Sequence, residues 1–305
     1  MNPRVLAVVG PTASGKSALA VGLAQQLGRA EIVGTDSMQV YCGMDVGTAT
    51  PTITEQGGVR HHMLDVWEPT HAVTVAEFQE RARAAIEGVA DRGCVPIVVG
   101  GSGLYVSAVL DDLRFPGTDP AVRERLEAEL AISGPHALHD RLTALDPVAA
   151  ASILATNGRR VVRALEVIEL TGGPFTASLP EPTAVYPGPR IGLEVPRDEL
   201  DRRIAERVDR MWDAGFVDEV RRLADAGLAA TPTAARALGY SQVLDLLAGN
   251  LTDAQARQAT IDATRKFARR QQRWFRRDAR IRWFAYNSPA LVDEALAIWG
   301  SDTST

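Results

Sequence analysis

Eight consecutive residues, Gly10, Pro11, Thr12, Ala13, Ser14, Gly15, Lys16 and Ser17, carry the clearest chemistry in this chain of 305 residues. They satisfy the spacing G-x-x-x-x-G-K-[ST], with an apolar run before them and a helical pattern after them. The glycines let the backbone curl so that successive N–H groups converge on phosphate oxygens, and the helix that follows adds its positive end. Lys16 then supplies a point charge to the terminal phosphates, and the Ser17 hydroxyl a ligand for Mg²⁺. Such a loop specifies phosphate but not hydrolysis. The apolar run 95–99 ends in Gly100, Gly101, Ser102 and Gly103, which allow close approach of a ligand but offer no metal-binding carboxylate, and this disfavours a nucleotide-driven motor.

Asp36 is the acid best placed to act. It follows the apolar run 31–35, and ligands of open parallel sheets sit at the carboxyl ends of the strands. A carboxylate there binds metal or takes a proton from an attacking nucleophile. A plainer reading stays open at this level, a turn aspartate capping Ser37 or Met38. His61 and His62 are adjacent and in a strand would point to opposite sides, so a hydrogen-bonding role in the cleft wall is expected in preference to zinc.

A third feature is basic. Residues 256–282 hold ten Lys or Arg against two Asp, although the whole chain has a formal charge of -5. On a helix over 251–277, capped by Thr252 and Gln255, Arg265, Arg269 and Arg273 recur every four residues and share a face, with Lys266, Arg270 and Arg277 on the adjoining stripe. Like charges at that spacing repel, so acids or phosphates must neutralise them. Two partners are open: acids such as Glu206, Asp209, Asp218 and Glu219, or a polyanion. Arginine in place of lysine favours bidentate phosphate contact; Lys16 and Lys266 are the only lysines. Arg159, Arg160 and Arg163 make a second basic surface.

The elements that must position these groups are legible from period and punctuation. Short apolar runs at 5–9, 31–35, 95–99 and 190–195 alternate with helical patterns at 16–27 and from Thr74, where Glu77 completes a capping box, so the class is α/β with a mostly parallel sheet. From about Thr118 the pattern changes to helices in succession: Asp119 and Pro120 open one over 120–132, and Asn157 opens another that Gly172 and Gly173 end. A proline-rich linker follows at 179–189. The expected organisation is a core of residues 1–117 and 190–305, with three or four more helices, an edge strand at 280–286 and a last helix from about Pro289, interrupted by a small helical insertion at 118–189.

Composition sets the class of protein. A hydrophobic share of 46% with 23% charged residues suits a globular chain with a sizeable core. No run reaches the roughly 18 apolar residues of a membrane span, and the first residues lack a secretion signal, so a cytoplasmic protein without membrane partners is expected. Cys42 and Cys94 are the only cysteines, and no disulfide is expected. A monomer is the default. On the residues alone, a small-molecule kinase and an enzyme joining a phosphorylated donor to nucleic acid both remain; the kinase leaves the basic helix without a task.

The blocks GPTASGKSALA (10–20), TDSMQVYCGMDVGTATP (35–51), HHMLD (61–65), VPIVVGGSGLYV (95–106), RRVVRALEV (159–167), GFVDEVRRL (215–223), ALGYSQ (237–242) and TRKFARRQQRWFRRD (264–278) resemble, nearly end to end, the tRNA dimethylallyltransferase (tRNA isopentenyltransferase) family. The resemblance implies a P-loop kinase-like core whose helical insertion embraces the tRNA anticodon stem-loop. It also implies transfer of a dimethylallyl group from dimethylallyl diphosphate, the co-substrate, to N6 of the adenine beside the anticodon. Carried over, Gly15, Lys16 and Ser17 hold the diphosphate with Thr12 at the same wall. Asp36 becomes the general base. Arg236 matches an arginine that neutralises the leaving diphosphate. Ser37, Met38, Gln39, Ser102 and Arg123 fall at tRNA-contacting positions. Ser102 replaces the usual Thr, Lys266 and Arg273 the commoner Gln and Thr, and Cys42 a frequent Arg.

Overall fold

A computed structural model of the chain describes residues 2–175, 182–231 and 233–301. Residues 179–181 of the expected linker lie outside the described residues. In chain order the first elements are β1 (Leu6–Val9), α1 (Lys16–Leu27), β2 (Ala30–Gly34), β3 (His61–His62), α2 (Val75–Asp91), β4 (Val95–Gly100) and α3 (Gly103–Leu110). Next come α4 (Pro120–Leu145), α5 (Pro147–Ser152) and α6 (Gly158–Thr171). The chain ends with β5 (Arg190–Glu194), α7 (Arg197–Asp213), α8 (Phe216–Asp225), α9 (Tyr240–Leu247), α10 (Asp253–Phe275), β6 (Ile281–Ala285) and α11 (Leu291–Ser301), with two short 3₁₀ turns between α8 and α9.

The six strands form one parallel sheet in the order β3-β2-β4-β1-β5-β6. Both faces of its central strands are covered, which is why those strands read as unbroken apolar runs. Leu6 and Val8 pack with Ile32, Ile97 and residues of α1 and α11. Ala7 and Val9 turn the other way, to a cluster shared with Val33, Val98, Phe78 and Ile86. The expected edge strand is β6, paired only with β5. Thr74 and Glu77 form the capping box of α2, and Thr252 and Gln255 that of α10.

The chain divides into two compact units, Met1–Asp111 with Ala184–Thr305, and Asp112–Thr183. The insertion was expected over 118–189, and the second unit spans Asp112–Thr183. Residues after Thr183 are held by the core: Asp111 bridges Ala184, and Val5 N–H donates to the Pro187 carbonyl at 2.8 Å. Within the insertion, α4 runs past the expected end at 132, but Gly134 (φ 76°) and Pro135 break it into two arms, so the expected stop is a kink. Leu126, Leu138 and Leu142 from those arms bury against Val161, Val162 and Leu165 of α6. Asp119 caps α4 through Ala121 and Val122, and Asn157 caps α6 through Arg160. None of the described helices is long and apolar enough to cross a membrane.

Candidate active site and basic surface

Three neighbouring strands end at one edge of the sheet. β4 lies between β1 and β2, with Val9 opposite Gly100 and Gly34 opposite Val99, so the loops that start at Gly10, Thr35 and Gly101 leave side by side. The phosphate loop is built for an anion: Ala13 (φ 61°) and Gly15 (φ 98°) both take left-handed backbone conformations, which turn successive amides inward. For Ala13 that conformation is uncommon and costs energy, of order 1–3 kcal/mol, at a site where ligand binding is the natural compensation. Ser14 is buried and its Oγ has no partner. Ser17 is exposed in the first turn of α1.

Lys16 lies under this loop, its Nζ donating to the Pro11 carbonyl at 2.7 Å. Its pKa is lowered to about 7, chiefly by burial and also by the Arg207 guanidinium, with Asp36 opposing the shift. Burial also lowers Arg207, with Asp36 pulling upward, Arg210 downward and Glu55 upward. Arg207 donates to the Thr48 carbonyl at 2.9 Å and makes no ion pair with a carboxylate among the described residues. A guanidinium cannot shed its proton in a protein, so a partly desolvated one without a counter-ion is a site awaiting an anion.

Asp36 is half-buried, and its Oδ1 accepts the Met38 N–H at 2.9 Å. The turn-capping reading therefore describes one oxygen, while Oδ2 has no hydrogen bond among the described residues. The segment after it is held from several sides. Gln39 Nε2 donates to the Thr48 and Ala49 carbonyls at 3.2 and 3.1 Å. The buried Glu219 carboxylate of α8 accepts the N–H groups of Asp45, Val46 and Gly47 at 3.0, 2.7 and 3.0 Å, and the Tyr240 hydroxyl at 2.7 Å. Ser37, Met38, Gln39 and Ser102 are half-buried, and the Ser102 hydroxyl makes no capping bond at the start of α3.

The sequence-derived arginines separate into two groups. Arg236 is exposed at the end of a 3₁₀ turn, and no hydrogen bond or ion pair of its side chain joins it to Lys16, Asp36 or the phosphate loop; Arg207, which the sequence reading missed, is the arginine coupled to them. Arg123 and Arg163 converge on Glu166, which is fully buried. Arg163 also donates to the Pro116 and Gly117 carbonyls. Arg265 is turned toward Asp201 and Asp262. Arg159 is exposed. By contrast, Arg269 and Arg273 of α10 and Arg277 just past its end make no ion pair among the described residues, and with Arg197, Gln272 and Arg276 they line a groove of about 700 Å³. The acids anticipated as partners of α10 serve elsewhere, Glu206 on Arg202, Asp218 on Arg221 and Glu219 as above; Asp209 alone reaches the helix, at Arg257. Phe275 anchors α10 in the core, Trp274 packs over Gly103, and Phe267 lies beneath Arg270.

His62 Nε2 meets Glu31 at 2.6 Å and His61 Nδ1 the Val59 carbonyl at 2.9 Å. Cys42 and Cys94 are unbridged. No group of three or more His, Cys, Asp or Glu suited to a metal occurs among the described residues. Magnesium does not need one, since it commonly takes one or two protein ligands and fills its shell with phosphate oxygens and water. The exposed Ser17 hydroxyl beside the loop fits that mode.

Comparison with known proteins gives a consistent result. The family model described as IPP transferase matches residues 39–278. The chain is similar to the tRNA dimethylallyltransferase of Thermobifida fusca (strain YX), 61% identical over 298 residues that cover 96% of this chain and 93% of that protein. Among solved structures, the full-length tRNA isopentenylpyrophosphate transferase of Bacillus halodurans is 40% identical with a TM-score of 0.73, covering 98% of this chain and 97% of that one. A eukaryotic dimethylallyltransferase acting on tRNA, 24% identical, shares the fold with a TM-score of 0.79 over 99% of this chain and 77% of its own.

Proposed function

The chain belongs to the tRNA dimethylallyltransferase (IPP transferase) family, and from that premise we propose how its residues move a dimethylallyl group from dimethylallyl diphosphate to N6 of the adenine beside the anticodon of tRNA. It is an enzyme, a transferase acting on tRNA. The observation that carries the mechanism is the meeting of the phosphate loop, Lys16, Arg207 and Asp36 beyond adjacent strands of the sheet.

The loop amides and Lys16 bind the diphosphate, and Arg207 gains the counter-ion it lacks in the protein. As the bond between C1 and the bridging oxygen breaks, negative charge grows on the diphosphate, and these fixed cations stabilise that growth more than they stabilise the bound ester. The adenine N6 is a weak nucleophile, so placement against C1 supplies much of the rate. As N6 bonds to C1 it loses a proton, which passes to the unpartnered Oδ2 of Asp36, and diphosphate leaves. Magnesium, when bound through Ser17 and the phosphates, supplies further charge neutralisation. Turning a loop adenine into the site costs less than extracting one from a duplex. Arg269, Arg273 and Arg159 take RNA phosphates.

The test is mass analysis of a defined anticodon stem-loop after incubation with donor and Mg²⁺. Gain of one dimethylallyl unit by the wild-type protein, lost in Asp36→Asn with RNA affinity retained, supports the reading. No transfer, with phosphorylation of a metabolite from ATP, would return the small-molecule kinase.

A further inference from the structure

Among the described residues, Gln271 is the one residue of α10 whose side chain hydrogen-bonds the phosphate loop. It is 5% exposed, although it sits between Arg270 and Gln272 on the most basic helix of the chain. Its Oε1 accepts the Thr12 N–H at 2.9 Å. A backbone amide only donates, so this contact fixes the carboxamide's orientation: the oxygen faces Thr12 and the NH₂ faces the other way.

The surroundings of that NH₂ are informative. A Cβ added to Gly101 would lie 2.7 Å from Gln271 Nε2, 3.1 Å from the Gly10 carbonyl and 3.5 Å from Lys16 Nζ. The missing side chain at Gly101 thus leaves one small volume into which the carboxamide and the lysine both project. No acceptor among the described residues takes the Nε2 hydrogens. Nor is Nε2 among the sealed, unpartnered polar atoms, which are Ser14 Oγ, Tyr41 Oη and Arg265 Nε, so it keeps an open side. A buried amide that spends its oxygen on the loop, and holds two unused hydrogens beside the phosphate-binding lysine, is short of an acceptor and not of a donor.

We propose that Gln271 is a donor-binding residue: its Oε1 braces the phosphate loop at Thr12 while its Nε2 hydrogen-bonds an oxygen of the donor's diphosphate. Because the same helix carries Arg269 and Arg273, Gln271 makes α10 the element that touches both substrates, the diphosphate from its buried side and RNA phosphate from its basic side. The inference rests on the reading that diphosphate occupies the loop.

The probe is inorganic diphosphate with Mg²⁺, titrated calorimetrically into the full chain, with kcat and KM for donor and stem-loop measured alongside. Gln271→Met removes both hydrogen bonds. Gln271→Glu keeps an acceptor for Thr12 but replaces the NH₂ by an oxygen, and Lys16→Met controls for the underlying reading. A hydrogen bond to a charged acceptor is worth about 1.5–3 kcal/mol, so both Gln271 variants should bind diphosphate at least about 10-fold more weakly, with donor KM raised and stem-loop KM unchanged. A merely bracing residue would leave Gln271→Glu like wild type; that result, with Lys16→Met impaired, overturns the inference alone. If Lys16→Met also binds diphosphate normally, the phosphate reading falls and takes the inference with it. Unchanged thermal midpoints exclude misfolding, and weakened binding at wild-type stability by the neutral Gln271→Met as well as by Gln271→Glu supports the proposal.

Discussion

Two arginine-rich helices of this chain, α6 in the insertion and α10 in the core, look alike as sequence and differ in what neutralises them. On the insertion, Arg123 and Arg163 close on the buried Glu166, so their charge is spent inside the protein. Arg269 and Arg273 of α10, with Arg277 just past its end, face a groove and make no ion pair among the described residues, while Arg276 at the same groove pairs with Glu194. Spacing states where charge is concentrated, whereas the counter-ion decides whether it is structure or binding surface. Arg207 belongs with the second kind: its side chain donates to a carbonyl, and no carboxylate among the described residues pairs with it.

The largest effect should come from breaking the internal pair. Glu166→Ala removes the buried carboxylate on which two partly exposed guanidinium groups close, and chemical denaturation should show a loss of about 3 kcal/mol. A loss under about 1 kcal/mol would place that charge at the surface and dissolve the contrast.

Arg207→Met should do the reverse. Stability is kept or raised, because a partly buried charge without a counter-ion is removed, while single-turnover transfer falls about 100-fold through lost stabilisation of the departing diphosphate. The same substitution at Arg236 should cost much less, and equal losses would restore the assignment that the family resemblance suggested.

The α10 arginines are expected to act through RNA alone. Arg269→Ala and Arg273→Ala should each weaken stem-loop binding by about 1 kcal/mol and reduce the slope of log affinity against log salt by about 0.7–0.9, with no change in unfolding. Arg163→Ala should instead lower stability and leave the salt slope alone. A flattened slope in Arg163→Ala would move that residue to the binding surface.

The smallest effect is on pH. With Lys16 at about 7 in the unliganded protein, the ammonium is present below that value and lost above it. A bound diphosphate favours the charged form, so at pH 8 donor binding should take up close to one proton, and affinity should fall by at most about 10-fold per pH unit above pH 7. Calorimetry in buffers of different ionisation enthalpy measures the uptake; none would mean that Lys16 is charged throughout.

Much of this was legible beforehand because local physics dominates it. The phosphate loop, the capping boxes at Thr74 and Thr252 and the buried strands follow from backbone chemistry and period alone. Arg207, Glu219 and Gln271 escaped because their partners come from distant segments, yet each left a trace. On α7, Leu200, Ile204 and Met211 mark a buried stripe on which Arg207 falls; Gln271 stands between the buried Ala268 and Phe275, and Glu219 between Phe216 and Val220. A polar residue in the register of an apolar stripe must find a partner inside, and here those partners surround the site. The ion pairs of Arg123 and Arg163 were equally hidden, since an acid at Glu166, three residues after Arg163, is too ordinary a helix pattern to reveal that it is fully buried.

The most direct test is a crystal structure of the chain with an anticodon stem-loop and a non-reactive thio analogue of dimethylallyl diphosphate. The account requires both phosphates within the amides of residues 10–17, in contact with Lys16 and Arg207, and the target adenine N6 within hydrogen-bonding distance of Asp36 Oδ2. Diphosphate bound away from that loop, or an adenine held where Asp36 cannot reach it, would contradict it.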